Sequence, residues 1–545
     1  MSANAQAFAA MLWHADPPCC VLLLPFERFV ASITGFLSGF TQDLPSFLKS
    51  HALVTSVTVG RHGGLAGLAV LGRDAAGQQT ASTASVDAVV IGAGLSGLIA
   101  ARELLKKGKT VAVLEAKGRI GGRMINQKVA GDGVIDLGGQ WGGKTHYRLE
   151  ALSDELNLKR YPAYYDGKAK FIWNGKSYTT DLFDDFIRAI GFSNPDDIEL
   201  PEQEKQAALK LWKELFVIAK SISPEKPWTS PNAQQLDATP VSQWLSDRNA
   251  SPLAQWMFGW ICRGGGAQVF EPYESSMLHL AWTMAVAPPR ETPEDWLLYK
   301  GAGEVAKIIA NELGSRVVLN APVSKIDQDS SGLTVTYGDC KTIRTKTAVV
   351  AIPPVLRLNI IFNPPLPPRF VQLMQRTPMP SKWKVLAVYP TAFWREEGYC
   401  AAGSGNLDVL EQTADACPPD GKPGIIASFV SGNRIGSLSQ LSHQEQEALV
   451  LKDLAAFWGP KASQPIELVI VRWTEDPWIT GGYGLTRSTG AWTAFGSTWQ
   501  DDHGKVFWAG TEQSTRWPGY FEGAIEAGLA AASKATSAIQ SAVQT

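Results

Sequence analysis

Residues 86–124 read "VDAVVIGAGLSGLIAARELLKKGKTVAVLEAKGRIGGRM", and this stretch decides the fold. Val86–Ile91 is a short apolar run closed by glycine, the pattern of a buried strand. Leu95–Lys107 follows with Leu98, Ala101, Leu104 and Leu105 on one side, which predicts a helix that Gly108 stops. Thr110–Leu114 is a second apolar strand, and strand–helix–strand implies a parallel sheet. Gly92, Gly94 and Gly97 form G-x-G-x-x-G where the strand meets the helix. The first glycine permits the tight turn, the second lets backbone approach a pyrophosphate, and the third lets the helix pack closely on the strand. The helix start, with Ser96 in its first turn, offers amide donors and a positive dipole end to phosphate. Glu115 ends the second strand, with Ala116 beside it, and is placed to hold a ribose hydroxyl pair. A dinucleotide follows from these features in register, and it could be NAD or FAD.

The next segment separates the two. "GRIGGRM" (118–124) puts Gly121, Gly122 and Arg123 on the pyrophosphate side, where an arginine can make charge-assisted bonds. "IDLGGQWGG" (135–143) then brings Gly138, Gly139 and Gln140, where backbone can approach a flat ring. An NAD site needs neither segment, and their order points to FAD.

Working outward, the 545 residues exceed one simple core, and 45% apolar with 19% charged residues fits a globular chain. A net charge of −2 argues against nucleic acid or an anionic membrane as partner. The 19 Trp and 21 Phe either fill a large core or line an apolar pocket. Six cysteines and seven histidines show no metal-ligand spacing, so reduced thiols and no metal are expected. No run of 18 apolar residues predicts a transmembrane anchor; "CCVLLLPFERFVASITGFLSGF" (19–40) is interrupted by Pro25, Glu27 and Arg28. Residues 1–85 read as an extension ending in the linker-like "GQQTASTAS", with a faint echo of a secretory signal over 61–85. Helices are expected over 203–220 and 303–313, a turn at Ser330–Gly332, and a strand in "SKWKVLAVYP" (381–390). Alternation on that strand puts Lys382, Lys384, Leu386 and Val388 on one face; taken alone, Lys384 reads as a strand-end lysine reaching for solvent.

These motifs, with "AIPPVLRLNIIFNPPLPP" (351–368), "FWREEGYC" (393–400), "WTEDPWITGGYG" (473–484) and "FWAGTEQSTRWPGYFEGAIEAG" (507–528), resemble the flavin-containing monoamine oxidase family from residue 86 to about 535. The resemblance implies an α/β fold with a discontinuous Rossmann-type FAD-binding domain (86–161, 296–373 and 477–535). A second α+β substrate domain of the amine oxidase type would take 162–295 and 374–476, leaving 536–545 as a tail. It implies that Gly510 and Glu512 form a turn against the cofactor. A helix beginning over Gly519–Gly528 would aim its positive end at the isoalloxazine. Tyr520 would stand perpendicular to the flavin and orient an amine, Lys384 would hold a water at flavin N5, and Val323 and Trp473 would touch the cofactor. Trp517 is open to either a pocket or a packing role. The second ring of the family's aromatic pair would fall at Gly484, so the cage is half-built unless Trp478 or Tyr483 compensates. Tyr483 aligns with a cysteine that attaches flavin in some members, which implies non-covalent FAD.

The implied chemistry is hydride transfer from the amine α-carbon to flavin N5, giving imine, then aldehyde, ammonia and hydrogen peroxide, with molecular oxygen as acceptor. Rival readings are an L-amino-acid oxidase or dehydrogenase, a polyamine oxidase, and a non-enzymatic flavin-binding module. The first would place an arginine after the Gly-Gly turn, where "GGQWGGKTHYR" (138–148) has only Lys144 and Arg148 nearby. A soluble, cytoplasmic enzyme is expected, and a homodimer is compatible with the sequence.

Overall fold

Residues 85–130, 133–181, 201–264, 269–287 and 294–544 are described by a computed structural model. The expected extension, apart from Ser85, and its signal-like stretch lie outside the described residues. The opening motif folds as its periodicity requires: Ser85–Ile91 is a strand, Leu95–Lys106 a helix and Val111–Leu114 a strand. The two strands pair in parallel, Ala88 opposite Val111 and Ile91 opposite Leu114. Ser85–Ile91 pairs on its other edge with Lys341–Val350, also in parallel. The sheet they share has eight strands. Its order is Ile361–Asn363, Val323–Asp329, Gly332–Tyr337, Lys341–Val350, Ser85–Ile91, Val111–Leu114, Val317–Val318. Val506–Trp508 joins in parallel beside Lys341–Val350. Gly92, Ala351 and Gly510 therefore all follow carboxyl ends of parallel strands, the edge where open α/β sheets bind ligands.

A second sheet has seven strands, with Lys382–Tyr389 between Gly424–Ser431 and Glu467–Arg472. All eight residues of Lys382–Tyr389 are buried, so this is an interior strand covered on both faces. That corrects the solvent-reaching reading of Lys384, because alternation along a strand says nothing about whether its second face is also covered.

The expected helices form at Glu202–Lys220 and Gly303–Leu313. The C-terminal helix differs from expectation at both ends. It starts at Phe521, leaving Gly519 and Tyr520 in the preceding turn, and it runs to Gln544. The expected tail over 536–545 is thus helical through 544, where Ala531, Ala532, Ala535 and Ile539 are buried in the core that includes Leu98 and Ala101. Gly528 makes this close crossing possible: a Cβ there would collide with the carbonyl oxygen of Ser96.

Glu522, in the first turn of that helix, is buried. Its carboxylate accepts from the backbone N–H groups of Arg148 (2.9 Å) and Leu149 (3.0 Å) and from Arg148 Nη1 (3.0 Å). It caps the helix Tyr147–Glu155, whose own N-cap residue His146 makes no side-chain cap bond. Glu522→Ala is expected to cost about 1–3 kcal/mol of unfolding free energy, since it leaves buried amides unpaired. Denaturant unfolding of the variant checks this, and an unchanged midpoint would contradict the capping role.

Candidate active site

The carboxyl edge of the first sheet, the interior strand of the second and the C-terminal turn close around one elongated cavity. At one end lie Gly92, Gly94, Ser96, Glu115 and Ala116. The helix that begins at Leu95 has Gly94 as N-cap and no side-chain cap bond, so its first amides are left for an anion. Gly92 has φ of 101°, and a Cβ there would sit 2.9 Å from the Ala351 carbonyl oxygen. A Cβ on Gly122 would sit 3.2 Å from Gly94 Cα, so the two glycine turns lie backbone against backbone. Gly97 does not line the cavity; a Cβ on it would collide with the Gly92 carbonyl oxygen, so its part is packing. Glu115 is buried, with Oε2 accepting from Ala93 N–H (2.7 Å) and Oε1 from Lys117 N–H (2.9 Å).

Further along, Ser96 Oγ accepts from Gly510 N–H at 2.9 Å, tying the C-terminal turn to the N-terminal motif. Arg123 and Gly510 line the cavity, whereas Glu512 lies behind it. Arg123 Nη1 donates to Glu512 Oε1 at 2.6 Å and to the Tyr483 carbonyl oxygen. The expected phosphate contact of Arg123 is thus joined by an ion pair that fixes its side chain. Glu512 Oε2 is buried without a hydrogen-bond partner, and a Cβ at Gly510 would meet it at 3.0 Å. An orphan acceptor beside the lining suits a hydroxyl donor from a bound polyol chain. With the uncapped helix start and the glycine cradle, these residues fit FAD.

Val323, Gly139 and Trp473 also line the cavity, Trp473 held by an Nε1–H bond to the Leu137 carbonyl (3.1 Å). Gln140 sits behind the lining and reaches Lys384. Lys384 lines the cavity at 2% exposure. Its Nζ donates to the carbonyl oxygens of Asp136 (2.6 Å) and Gly138 (2.8 Å) and to Gln140 Oε1. Burial pushes its ammonium down to about 7, with the Asp136 carboxylate opposing. Burial pushes the Asp136 carboxyl up to about 7, against the pull of Lys384. The lysine is held by the loop that carries Gly138 and Gly139, so the second sheet and the glycine turns meet at one amine.

Tyr483 and Tyr520 line the far end, with Trp478 and Gly482. Tyr483 packs edge-on against Phe429 at 5.8 Å, and no side chain is available at Gly484. Trp517 does not line the cavity; it is buried and packs T-shaped on Tyr520 at 5.0 Å. His146, which sequence reasoning missed, completes this support at 4.7 Å from Trp517 and 5.5 Å from Tyr520. Its Nδ1 accepts from Gly143 N–H at 3.0 Å, and burial pushes its imidazolium down to about 4, leaving a neutral ring. Nothing in the local sequence marks a lone histidine for that task. Lys382 was also missed as a lining residue, though its place on the face of Lys384 could have suggested it.

Residues 95–536 match the family described as flavin containing amine oxidoreductase. An L-amino acid dehydrogenase of Synechocystis sp. is 38% identical over 83% of this chain and 95% of its own length. Cyclohexylamine oxidase from Brevibacterium oxydans superposes with a TM-score of 0.77 at 31% identity, covering 84% of this chain and all of the other (100%). A putrescine oxidase bound to putrescine superposes at 0.76 with 29% identity, covering 83% and 99%. Matched by this family over most of its length and by a relative 38% identical across 83% of it, the chain belongs to the FAD-dependent flavin-containing amine oxidoreductases.

Proposed function

We propose that the cavity holds FAD without a covalent bond and oxidises the C–N bond of a small-molecule amine, with molecular oxygen as the electron acceptor. The observation that carries this reading is the continuity of one cavity from the uncapped helix start at Gly94 to Lys384 and Tyr520. The chemistry supplied by bound FAD is acceptance of hydride from the carbon bearing nitrogen, which leaves an imine for water to hydrolyse. The chain's own residues do the rest. The glycine turns and helix amides bind pyrophosphate, Glu115 and Val323 take the adenosine end, and Glu512 accepts from the ribityl chain. Tyr520, braced by Trp517 and His146, presents an aromatic face that orients the amine nitrogen. Lys384 holds a proton at Nζ beside the site where negative charge develops on oxygen. The residues around the first sheet serve the cofactor, and those around the second shape the substrate end. Tyr483 stands where some relatives carry the attaching cysteine, which supports the non-covalent reading.

A diamine substrate is less well supported, because Glu115 at the cofactor end is the one carboxylate among the described lining residues. An amino-acid substrate is favoured by the 38% identical dehydrogenase. The arginine expected after the Gly-Gly turn is not in the sequence there, and of its nearby substitutes Lys144 is exposed beside Asp295 (3.7 Å) and Arg148 is taken by Glu522. Among the described residues no helix is long and apolar enough to cross a membrane. Cys262, Cys400 and Cys417 are free thiols, which supports a reducing, cytoplasmic setting.

One experiment tests the proposal. The purified protein is expected to be yellow, to release its flavin into the supernatant on acid precipitation, and to be bleached anaerobically by an amine or amino acid with peroxide formed on admitting air. Colour kept in the pellet overturns the non-covalent assignment; flavin that no amino compound bleaches overturns the activity.

A further inference from the structure

We propose that Lys382 anchors a substrate carboxylate, so that the amine oxidised here is the α-amine of an amino acid; this rests on the amine-oxidising reading of the cavity. Lys382 opens the interior strand, is 1% exposed and lines the cavity. Its Nζ donates to the Arg263 carbonyl oxygen (3.0 Å) and Ser431 Oγ (2.7 Å). Both acceptors are neutral, and an ammonium has three N–H groups to place. Among the described residues no carboxylate lies within ion-pair reach of it. Of the nearby acids, Glu411 takes Arg263 and Arg434 on Oε1, each at 2.7 Å, and leaves its buried Oε2 without a hydrogen-bond partner, while Glu271 takes Arg263 (2.8 Å) and Asn433 N–H (2.9 Å). The cluster thus holds three cations against two carboxylates, and Lys382, the one of the three on a residue that lines the cavity, has no ion pair of its own.

A buried cation with no carboxylate at ion-pair distance is costly, and Glu411 from further off, with the rings of Phe429 (4.9 Å) and Tyr483 (5.3 Å), offsets only part of that cost. Burial accordingly pushes the Lys382 ammonium down to about 7, with Glu411 opposing. A simple amine would bring no negative charge to this end, and a diamine would add a second cation. A carboxylate supplies the missing charge and the third hydrogen-bond acceptor together.

The spacing fits. Lys382 and Lys384 share a strand face two residues apart, roughly 7 Å along the strand. The carboxylate of an α-amino acid is one bond from the carbon that loses hydride. Its anchor must therefore lie within a side chain's reach of the lysine beside the reacting end. In the reaction the amino acid loses hydride from Cα and a proton from nitrogen. The resulting imino acid takes up water to give a 2-oxo acid and ammonia, and the electron pair passes through FAD to oxygen as peroxide.

The test compares kcat/KM of the holoenzyme for L-leucine, L-phenylalanine and L-arginine with the amines left by removing their carboxylates. At least one acid is expected to exceed its amine by about tenfold or more. Lys382→Met and Lys382→Gln are expected to shrink that ratio on the order of 10- to 100-fold, chiefly through KM. Calorimetry with 3-phenylpropanoate, which has the carboxylate but no amine, is expected to show binding to the wild type that the variants lose. A ratio unchanged in a variant that retains FAD overturns the proposal, as does a wild type that oxidises every amine as fast as its acid. If neither variant holds FAD, the wild-type preference and carboxylate binding decide, and absence of both overturns it. Failure of the amine-oxidising reading looks different: no amine and no amino acid bleaches the flavin.

Discussion

Lys384→Met is expected to slow reoxidation of the reduced enzyme by oxygen on the order of 100-fold, while the purified variant still carries FAD. The expectation follows from how the amine is held. Three oxygens, the carbonyls of Asp136 and Gly138 and the side chain of Gln140, accept from Nζ in a buried setting. A cation so held stays fixed as negative charge builds on oxygen, so its field acts with no reorganisation at that moment. Methionine fills the space but carries no positive charge. The flavin-holding residues near Gly92, Glu115 and Gly510 lie outside this hydrogen-bond set, so loading and reoxidation should separate. Stopped-flow mixing of anaerobically reduced variant with oxygenated buffer measures the rate, and absorbance of the purified protein measures the loading. A reoxidation rate equal to that of the wild type would remove Lys384 from the oxygen step.

Gly97→Ala is expected to weaken FAD retention by about 100-fold, with a destabilisation of about 1–3 kcal/mol. The added methyl would collide with the Gly92 carbonyl oxygen and approach Ala351 Cβ at 3.2 Å. Both neighbours are parts of the sheet edge and cannot swing aside like a flexible side chain. The helix must then lift from the strand, carrying Ser96 away from Gly510 and its own amides away from the phosphate position. Gly108→Ala is the control for a glycine change as such: its φ of 71° strains an added side chain, but nothing lies within 4 Å of its Cβ position. Flavin-to-protein ratios after dialysis, with thermal unfolding of both variants, check the difference. Equal retention by the two would show that close helix–strand packing is not what holds the cofactor.

The local elements were legible because each rests on short-range chemistry. Apolar runs of four to seven residues gave strands at Ser85–Ile91 and Val111–Leu114, and glycine placed the turn between strand and helix. Charge, by contrast, was read badly from pattern. Lys384 looked like a strand-end lysine, yet its strand is sandwiched between Gly424–Ser431 and Glu467–Arg472. The opening acid of the C-terminal helix, Glu522, serves another helix more than 370 residues earlier in the chain.

The amino-acid order alone therefore determined the glycine turn between strand and helix, the acid that follows the second strand and the family to which the motifs belong, because those features are contiguous and their backbone geometry is local. Only the tertiary structure decided which rings face the cavity and which brace it, as with Tyr520 and Trp517. It alone showed Lys382 and Lys384 both buried beside the cavity, with different partners. The physical reason is that burial and charge balance are sums over neighbours drawn from distant segments, and periodicity along one segment carries no record of them.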